Sequence, residues 1–352
     1  MEYPILKLLI PAALAFITGL LITPLLTHYL YKFKVWKKTG GKTTLAGTVA
    51  TEFNRLKGTD EIKTPRMGGI VIWGSVLLTL GILYALSILF PESIFKDLFF
   101  LSRSQTWLPL SALIVGAAVG FMNDYYDVHH GGVGIRLRTR IIIITLLSAF
   151  IGWWFYAKLG ISSIGIPFDG ALEVGWLIIP FFIILTIALY ASGVIDGIDG
   201  LSGGVFASIF LSYAGVALIQ SQLDIAAFCA TVAGGILAFL WFNVPPARFW
   251  MTETGSMALT LTLAVVALMT DEMGEGVGVA LLPIIGLPLV ATVASNIIQV
   301  GYRKVTGKKF FRIAPLHHHF EAIGWPSTKV TMRYWIISIM CAVIGIALAS
   351  VA

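Results

Sequence analysis

The chain has 352 residues, of which 57% are hydrophobic and only 12% charged. A soluble domain carries about 25% charged residues, so this composition excludes a soluble globular or disordered protein and calls for a lipid bilayer. The net charge of +6 lies mainly in loops between apolar runs, a pattern that orients a membrane protein and indicates no nucleic-acid partner.

Crossing the hydrocarbon core takes about 20 apolar residues in a helix. Ten stretches meet that rule, at 5–30, 67–90, 106–124, 140–158, 175–194, 203–221, 225–243, 256–270, 277–301 and 333–352. The fold class expected is therefore an all-α integral membrane protein, with 1–352 forming a single polytopic domain. The first run is too long for a signal-peptide core and lacks a small-residue cleavage site, so it reads as a retained helix. The eighth run is short, and the ninth is interrupted by Pro283, Gly286 and Pro288. Such breaks are tolerated where the backbone is buried in protein or lines a cavity. No β-barrel alternation and no long repeat is visible. Cys229 and Cys341 lie in apolar runs, which gives no disulfide framework.

Ten spans create two sets of loops. The set 31–66, 125–140, 195–202, 244–255 and 302–333 holds every lysine and arginine except Lys7, Lys96, Arg103 and Lys158. That skew places it in the cytoplasm and both termini outside, in the periplasm. Asp124, Asp127, Asp196, Asp199, Glu253, His129, His130 and His317–His319 fall on the same side or at its boundary. The outer acids solvate helix ends.

Several inner-loop motifs carry chemistry. Lys63-Thr64-Pro65-Arg66-Met67-Gly68-Gly69 opens the second span; its cations at a helix start suit phosphate, or serve as a basic anchor before a glycine packing pair. Asn123-Asp124-Tyr125-Tyr126-Asp127 closes the third span. An acid at the bilayer edge must pair, bind metal or see water, and Arg136, Arg138 and Arg140 follow in the same loop as candidate ion-pair partners. In Asp196-Gly197-Ile198-Asp199-Gly200-Leu201 the two acids share a face if the turn is helical. Such carboxylates suit a Mg²⁺-diphosphate, and equally a capped tight turn. The segment Asn243–Ser256 offers Arg248, Glu253 and two aromatics, Phe249 and Trp250, able to stack on a base or to anchor at the interface. His317-His318-His319 cannot converge on one zinc, because adjacent helical residues point about 100° apart. Hydrogen bonding to phosphate or substrate fits them best.

The order and spacing of Asp-Gly-Ile-Asp-Gly-Leu at 196–201, Trp-Phe-Asn at 241–243, Thr-Gly-Ser at 254–256, Ala-Pro-Leu-His-His-His-Phe-Glu at 314–321 and Gly-Trp-Pro at 324–326 resembles the polyprenyl-phosphate N-acetylhexosamine-1-phosphate transferases over nearly the whole chain. The triple histidine is similar to the bacterial branch that acts on UDP-N-acetylmuramoyl-pentapeptide. The resemblance implies ten helices with a cytoplasmic site in the bacterial inner membrane and commonly a homodimer. It implies Mg²⁺-dependent attack of undecaprenyl phosphate on the donor, giving lipid I and UMP.

Carried over by position, Asn123, Asp124 and Glu253 fall at catalytic places, with Asp124 and Glu253 as the metal carboxylates. Lys63, Arg66, Arg140, Asp196, Asp199, Asn243, Trp250, His317, His318 and His319 fall at substrate-binding places. The chain departs from the family pattern at several of them. Asn123 stands where the family has the first Asp of a pair, a proposed base for the lipid phosphate. Asp127 stands for a Lys, Gly193 for an Asn, Met251-Thr252-Glu253 for Met-Gly-Asp, and Trp250 for a Phe near the uracil. Arg66 stands for a Thr and is closer to relatives using other UDP-sugars. A sister transferase using UDP-N-acetylglucosamine, a homologue that binds without turnover, and a transporter are the competing readings; acids on one face and not at the midplane argue against the last.

Overall fold

The computed structural model describes residues 4–37, 63–130, 132, 134–272 and 276–352. The long helices in chain order are α1 (Pro4–Lys32), α2 (Ile70–Leu89), then after the short α3 (Ile94–Leu98) α4 (Trp107–His129), α5 (Leu137–Leu159), α6 (Ile178–Ser192), α7 (Leu201–Ile219), α8 (Leu223–Asn243) and α9 (Thr252–Glu272). They are followed by α10 (Gly278–Ile285), α11 (Leu287–Thr306), the short α12 (Leu316–Ala322) and α13 (Ser327–Ala349). Among the described residues nine helices are long and apolar enough to cross a membrane, or ten if α10 and α11, bent by 71°, form one broken span. The chain is a multi-pass, mainly helical membrane protein. The break falls at Gly286, as the Pro283–Pro288 sequence led one to expect.

Two features depart from the expectation of ten plain spans. A hairpin of β1 (Ser163–Ile166) and β2 (Gly170–Glu173) pairs antiparallel, Ser163 opposite Glu173, between α5 and α6. Four-residue strands are too short to give a clear alternation in sequence. The eighth span is not short: α9 begins at Thr252, because its polar first turn is bonded to protein and needs no lipid-compatible surface.

Helix α9 is the centre of the bundle. Within its apolar window 94% of residues are buried, against 22% in α1 and 28% in α13. Its many threonines are tolerated there because hydroxyls such as those of Thr260, Thr262 and Thr270 donate to carbonyls one turn back. Small residues let neighbours approach its backbone. Gly116 and Gly120 of α4 lie so close to Ala258 and Glu253 that a Cβ at either would overlap main-chain atoms. Asp124 follows Gly120 by one turn on the same face. Close packing of these two helices is therefore what delivers Asp124 to the first turn of α9.

Candidate active site

At one end of the bundle the start of α2, the end of α4, the 193–200 turn, the 244–251 segment, the start of α9 and α12 converge. The backbone of 67–69 runs against 250–252: Gly68 N–H donates to Trp250 O at 2.8 Å and Gly69 N–H to Met251 O at 3.2 Å. The Gly68-Gly69 pair is required here, since side chains at these positions would overlap Phe249 and the Gly255 backbone.

Asp124 is fully buried. Its Oδ2 accepts from Thr252 Oγ1 at 2.5 Å, Thr254 Oγ1 at 2.6 Å and Thr254 N–H at 2.8 Å. It thereby satisfies orphan donors at the start of α9, where helix-end partial charge favours an anion. Among the described residues its Oδ1 has only Asn123 Nδ2, at 3.5 Å. Asp196 is held by the same turn: Oδ2 accepts from Thr252 N–H at 2.8 Å and Oδ1 from Ser202 Oγ at 2.6 Å. Burial pushes the Asp196 pKa up; the Ser202 and Thr252 hydrogen bonds and Arg66 pull against that, while nearby Asp124 adds to it.

Glu253 ion-pairs with Arg140, whose guanidinium also lies 6.0 Å from the Tyr190 ring centre. Arg66 ion-pairs with Asp127 at 2.9 Å. Both guanidiniums have a buried Nε–H with no hydrogen-bond acceptor among the described residues. Guanidiniums held through one edge retain donors for an anion such as phosphate.

The 196–201 turn is braced from several sides. Asp199 accepts from Ala247 N–H and from Trp250 Nε1, each at 3.1 Å. Asn243 accepts from Gly200 N–H and donates to Phe249 O, both at 2.9 Å. Gly200 has φ of +75°, a conformation suited to glycine. Gly197 is open for another reason: a Cβ there would lie 2.6 Å from His318 Nε2 and 2.7 Å from His317 Nε2.

The three histidines divide as helical geometry requires. Buried His317 and His318 face the Asp196–Asp199 turn. His318 Nδ1 is 2.7 Å from Glu321 Oε2, whose other oxygen accepts from Ser327 Oγ at 2.5 Å. His319 points elsewhere, accepting from Arg312 N–H at 3.3 Å beside Phe311. Desolvation, then the Arg312 charge, lowers its pKa.

The structure thus gathers Arg66, Asp124, Asp196, Asp199, Asn243, Trp250, Glu253, Arg140, His317 and His318 at one end. It turns His319 aside and leaves Lys63 exposed. Asn123 is buried and its Oδ1 accepts from Ile135 N–H at 3.0 Å, which fixes the following loop. Asp199 and Asn243 act as braces through their side chains. Sequence reasoning passed over Thr252, Thr254 and Ser202 as partners of the carboxylates. The signal was present in Thr252-Glu253-Thr254, a hydroxyl-rich helix start of the kind that satisfies orphan N–H groups.

A divalent cation such as Mg²⁺ is bound by oxygen ligands, commonly one or two carboxylates with waters and substrate phosphates. The donor chemistry here fits that description. Asp124 Oδ1 is open apart from the 3.5 Å contact, and the Glu253 side chain, bonded through Oε1, is 26% exposed. Among the described residues no cluster of three or more such side chains forms a cage on its own.

The glycosyl transferase family 4 model matches residues 106–271, from the start of α4 to the end of α9. Over 95% of its length the chain is 32% identical to the phospho-N-acetylmuramoyl-pentapeptide-transferase of Clostridioides difficile, covering 95% of that protein. The enzyme of the same name from Anoxybacillus flavithermus is 31% identical, with 96% and 97% covered. That of Chloroflexus aurantiacus is 32% identical over 82% of this chain and 78% of its own. The chain belongs to the phospho-N-acetylmuramoyl-pentapeptide-transferase family. It is a membrane transferase of the phospho-sugar class. Asp124, Asp196, Asp199, Asn243 and Glu253 of this transferase lie within the family-model match, whereas the α12 histidines lie beyond it.

Proposed function

We propose that this transferase moves phospho-N-acetylmuramoyl-pentapeptide from its UDP donor to undecaprenyl phosphate, with Mg²⁺, on the cytoplasmic face of the bacterial inner membrane. The observation that carries the reading is the convergence of buried Asp124, half-buried Asp196 and Glu253, two guanidiniums with an unused donor among the described residues, and two buried histidines at the basic end of the bundle. The skew of lysine and arginine supports a cytoplasmic site and termini outside.

An oxygen of the lipid phosphate attacks the β-phosphorus of the donor. The bond from that phosphorus to the bridging oxygen breaks, and UMP leaves with the oxygen and its electron pair. Arg66 and Arg140 present N–H donors to the diphosphate, and His317 and His318 hydrogen-bond it from the α12 side. Asp124 and Glu253 would hold Mg²⁺, whose chemistry is to neutralise phosphate charge. Asn123 cannot take a proton. An ionised phosphate nucleophile does not require one removed, and positioning with charge stabilisation supplies most of the catalysis.

The test is UMP release by the purified protein with undecaprenyl phosphate, Mg²⁺ and either UDP-N-acetylmuramoyl-pentapeptide or UDP-N-acetylglucosamine, beside Asn123→Asp. Turnover by the native chain with the muramoyl donor is expected. Turnover with UDP-N-acetylglucosamine alone shifts the assignment to a sister transferase, which Arg66 recommends. Activity only in Asn123→Asp identifies a binding homologue without turnover.

A further inference from the structure

Thr252 has φ of +54°, in the left-handed region that β-branched residues rarely enter. Such an outlier inside a site points to a task that the ordinary conformation could not perform. The task is visible in its bonds. In this conformation its N–H reaches Asp196 Oδ2 at 2.8 Å while its hydroxyl reaches Asp124 Oδ2 at 2.5 Å. The same hydroxyl accepts from Met67 N–H at 3.1 Å. One residue thereby ties together the entry to α2, the end of α4 and the 193–200 turn. A glycine, which the family pattern has here, would adopt this φ freely but supply no hydroxyl.

Resting on the transferase reading, we infer that Thr252 is a positioning residue, which holds Asp124 and Asp196 in register and directs Asp124 Oδ1 toward a divalent cation and the reacting phosphates. Together with the two Thr254 donors it engages Oδ2, so the two oxygens of Asp124 take different roles. Loss of the hydroxyl lets the carboxylate rotate and exchanges those roles.

The experiment compares native protein with Thr252→Ala, Thr252→Gly and Thr252→Ser, using Mn²⁺ as a paramagnetic probe without substrates, and UMP release. Removing an outer partner of a metal ligand typically costs about 10–100-fold in metal affinity or activity, and Thr252→Ala should fall in that range for both Mn²⁺ half-saturation and kcat, with donor KM changed less than about threefold. Thr252→Ser should restore both. Thr252→Gly relieves the strained φ, which offsets part of the stability lost with the hydroxyl, and should show the same losses of Mn²⁺ binding and kcat; melting temperatures measured on all variants separate positioning from stability. Mn²⁺ binding and kcat equal to native in Thr252→Ala and Thr252→Gly overturn the inference, as does native protein that binds no Mn²⁺. If native protein binds Mn²⁺ more tightly than Thr252→Ala and Thr252→Gly but releases no UMP, the transferase reading fails and the positioning role stands.

Discussion

Helix α9 carries a buried carboxylate at each end, and the two do different work. At its start Asp124, contributed by α4, receives three hydrogen bonds on one oxygen and, among the described residues, only the 3.5 Å bond from Asn123 Nδ2 on the other. At its end Asp271 divides its oxygens between two backbone donors, Gly165 N–H of the hairpin at 2.7 Å and Val279 N–H of α10 at 3.1 Å. Around Asp271 Gln222 donates to Met269 O and Tyr213 to Gly278 O, while Gln222 Oε1 is buried without a partner among the described residues. No arginine with an unused donor stands near it in the described structure, whereas Arg66 and Arg140 stand beside the other end. A buried acid is therefore no sign of function by itself. What distinguishes the site is a carboxylate oxygen held only by a long 3.5 Å bond beside arginines with unused donors among the described residues.

That comparison can be broken at either end. Asp124→Asn keeps an amide oxygen for the Thr252 and Thr254 donors and places an NH₂ where the open oxygen was. It should cost little stability, since it disturbs only the long 3.5 Å bond from Asn123, and lower kcat by about 100–1000-fold, the usual scale for a preorganised electrostatic group. Arg140→Gln frees Glu253 but removes the guanidinium proposed to bind phosphate; the donor KM should rise about ten- to a hundredfold, the worth of a charge-assisted hydrogen bond, read from initial rates of UMP release. At the far end Asp271→Asn sets an amide NH₂ against a backbone N–H. It should cost about 1–3 kcal/mol of stability in denaturant or thermal unfolding, with kcat per folded molecule unchanged.

The smallest effect sharpens the contrast through pH. The folded-state pKa of Asp196 is raised, chiefly by desolvation. Its contribution to stability is therefore complete below the ordinary carboxylate pKa and is lost as pH rises through the folded value. Asp196→Asn has no such charge to bury. Its melting temperature without substrate should exceed the native one by a margin that widens with pH over that window. A constant or shrinking margin contradicts the assignment of a desolvation cost to Asp196.

The helical membrane architecture was legible because a bilayer imposes length and composition on each span, and the broken α10–α11 pair announced itself through Pro283, Gly286 and Pro288. The hairpin was not, because four-residue strands leave little periodic trace. The start of α9 was set four residues late for a related reason: Thr252–Gly255 fell outside the span when judged against lipid, yet their partners are protein groups. Within the site, charged residues were found because acids at a membrane boundary are costly and rare. Their orientation was not legible. Which oxygen of Asp124 stays open depends on Thr252 and Thr254, 128 and 130 positions away. That His319 turns from its neighbours follows from helix geometry once α12 is known to be a helix.

The most direct measurement is a side-by-side determination of kcat for UMP release and of melting temperature in native protein, Asp124→Asn and Asp271→Asn. Asymmetry between the two ends predicts that Asp124→Asn loses turnover while keeping its melting temperature, and that Asp271→Asn does the reverse. Equal losses of turnover per folded molecule in both variants, or native-like turnover in Asp124→Asn, would contradict it.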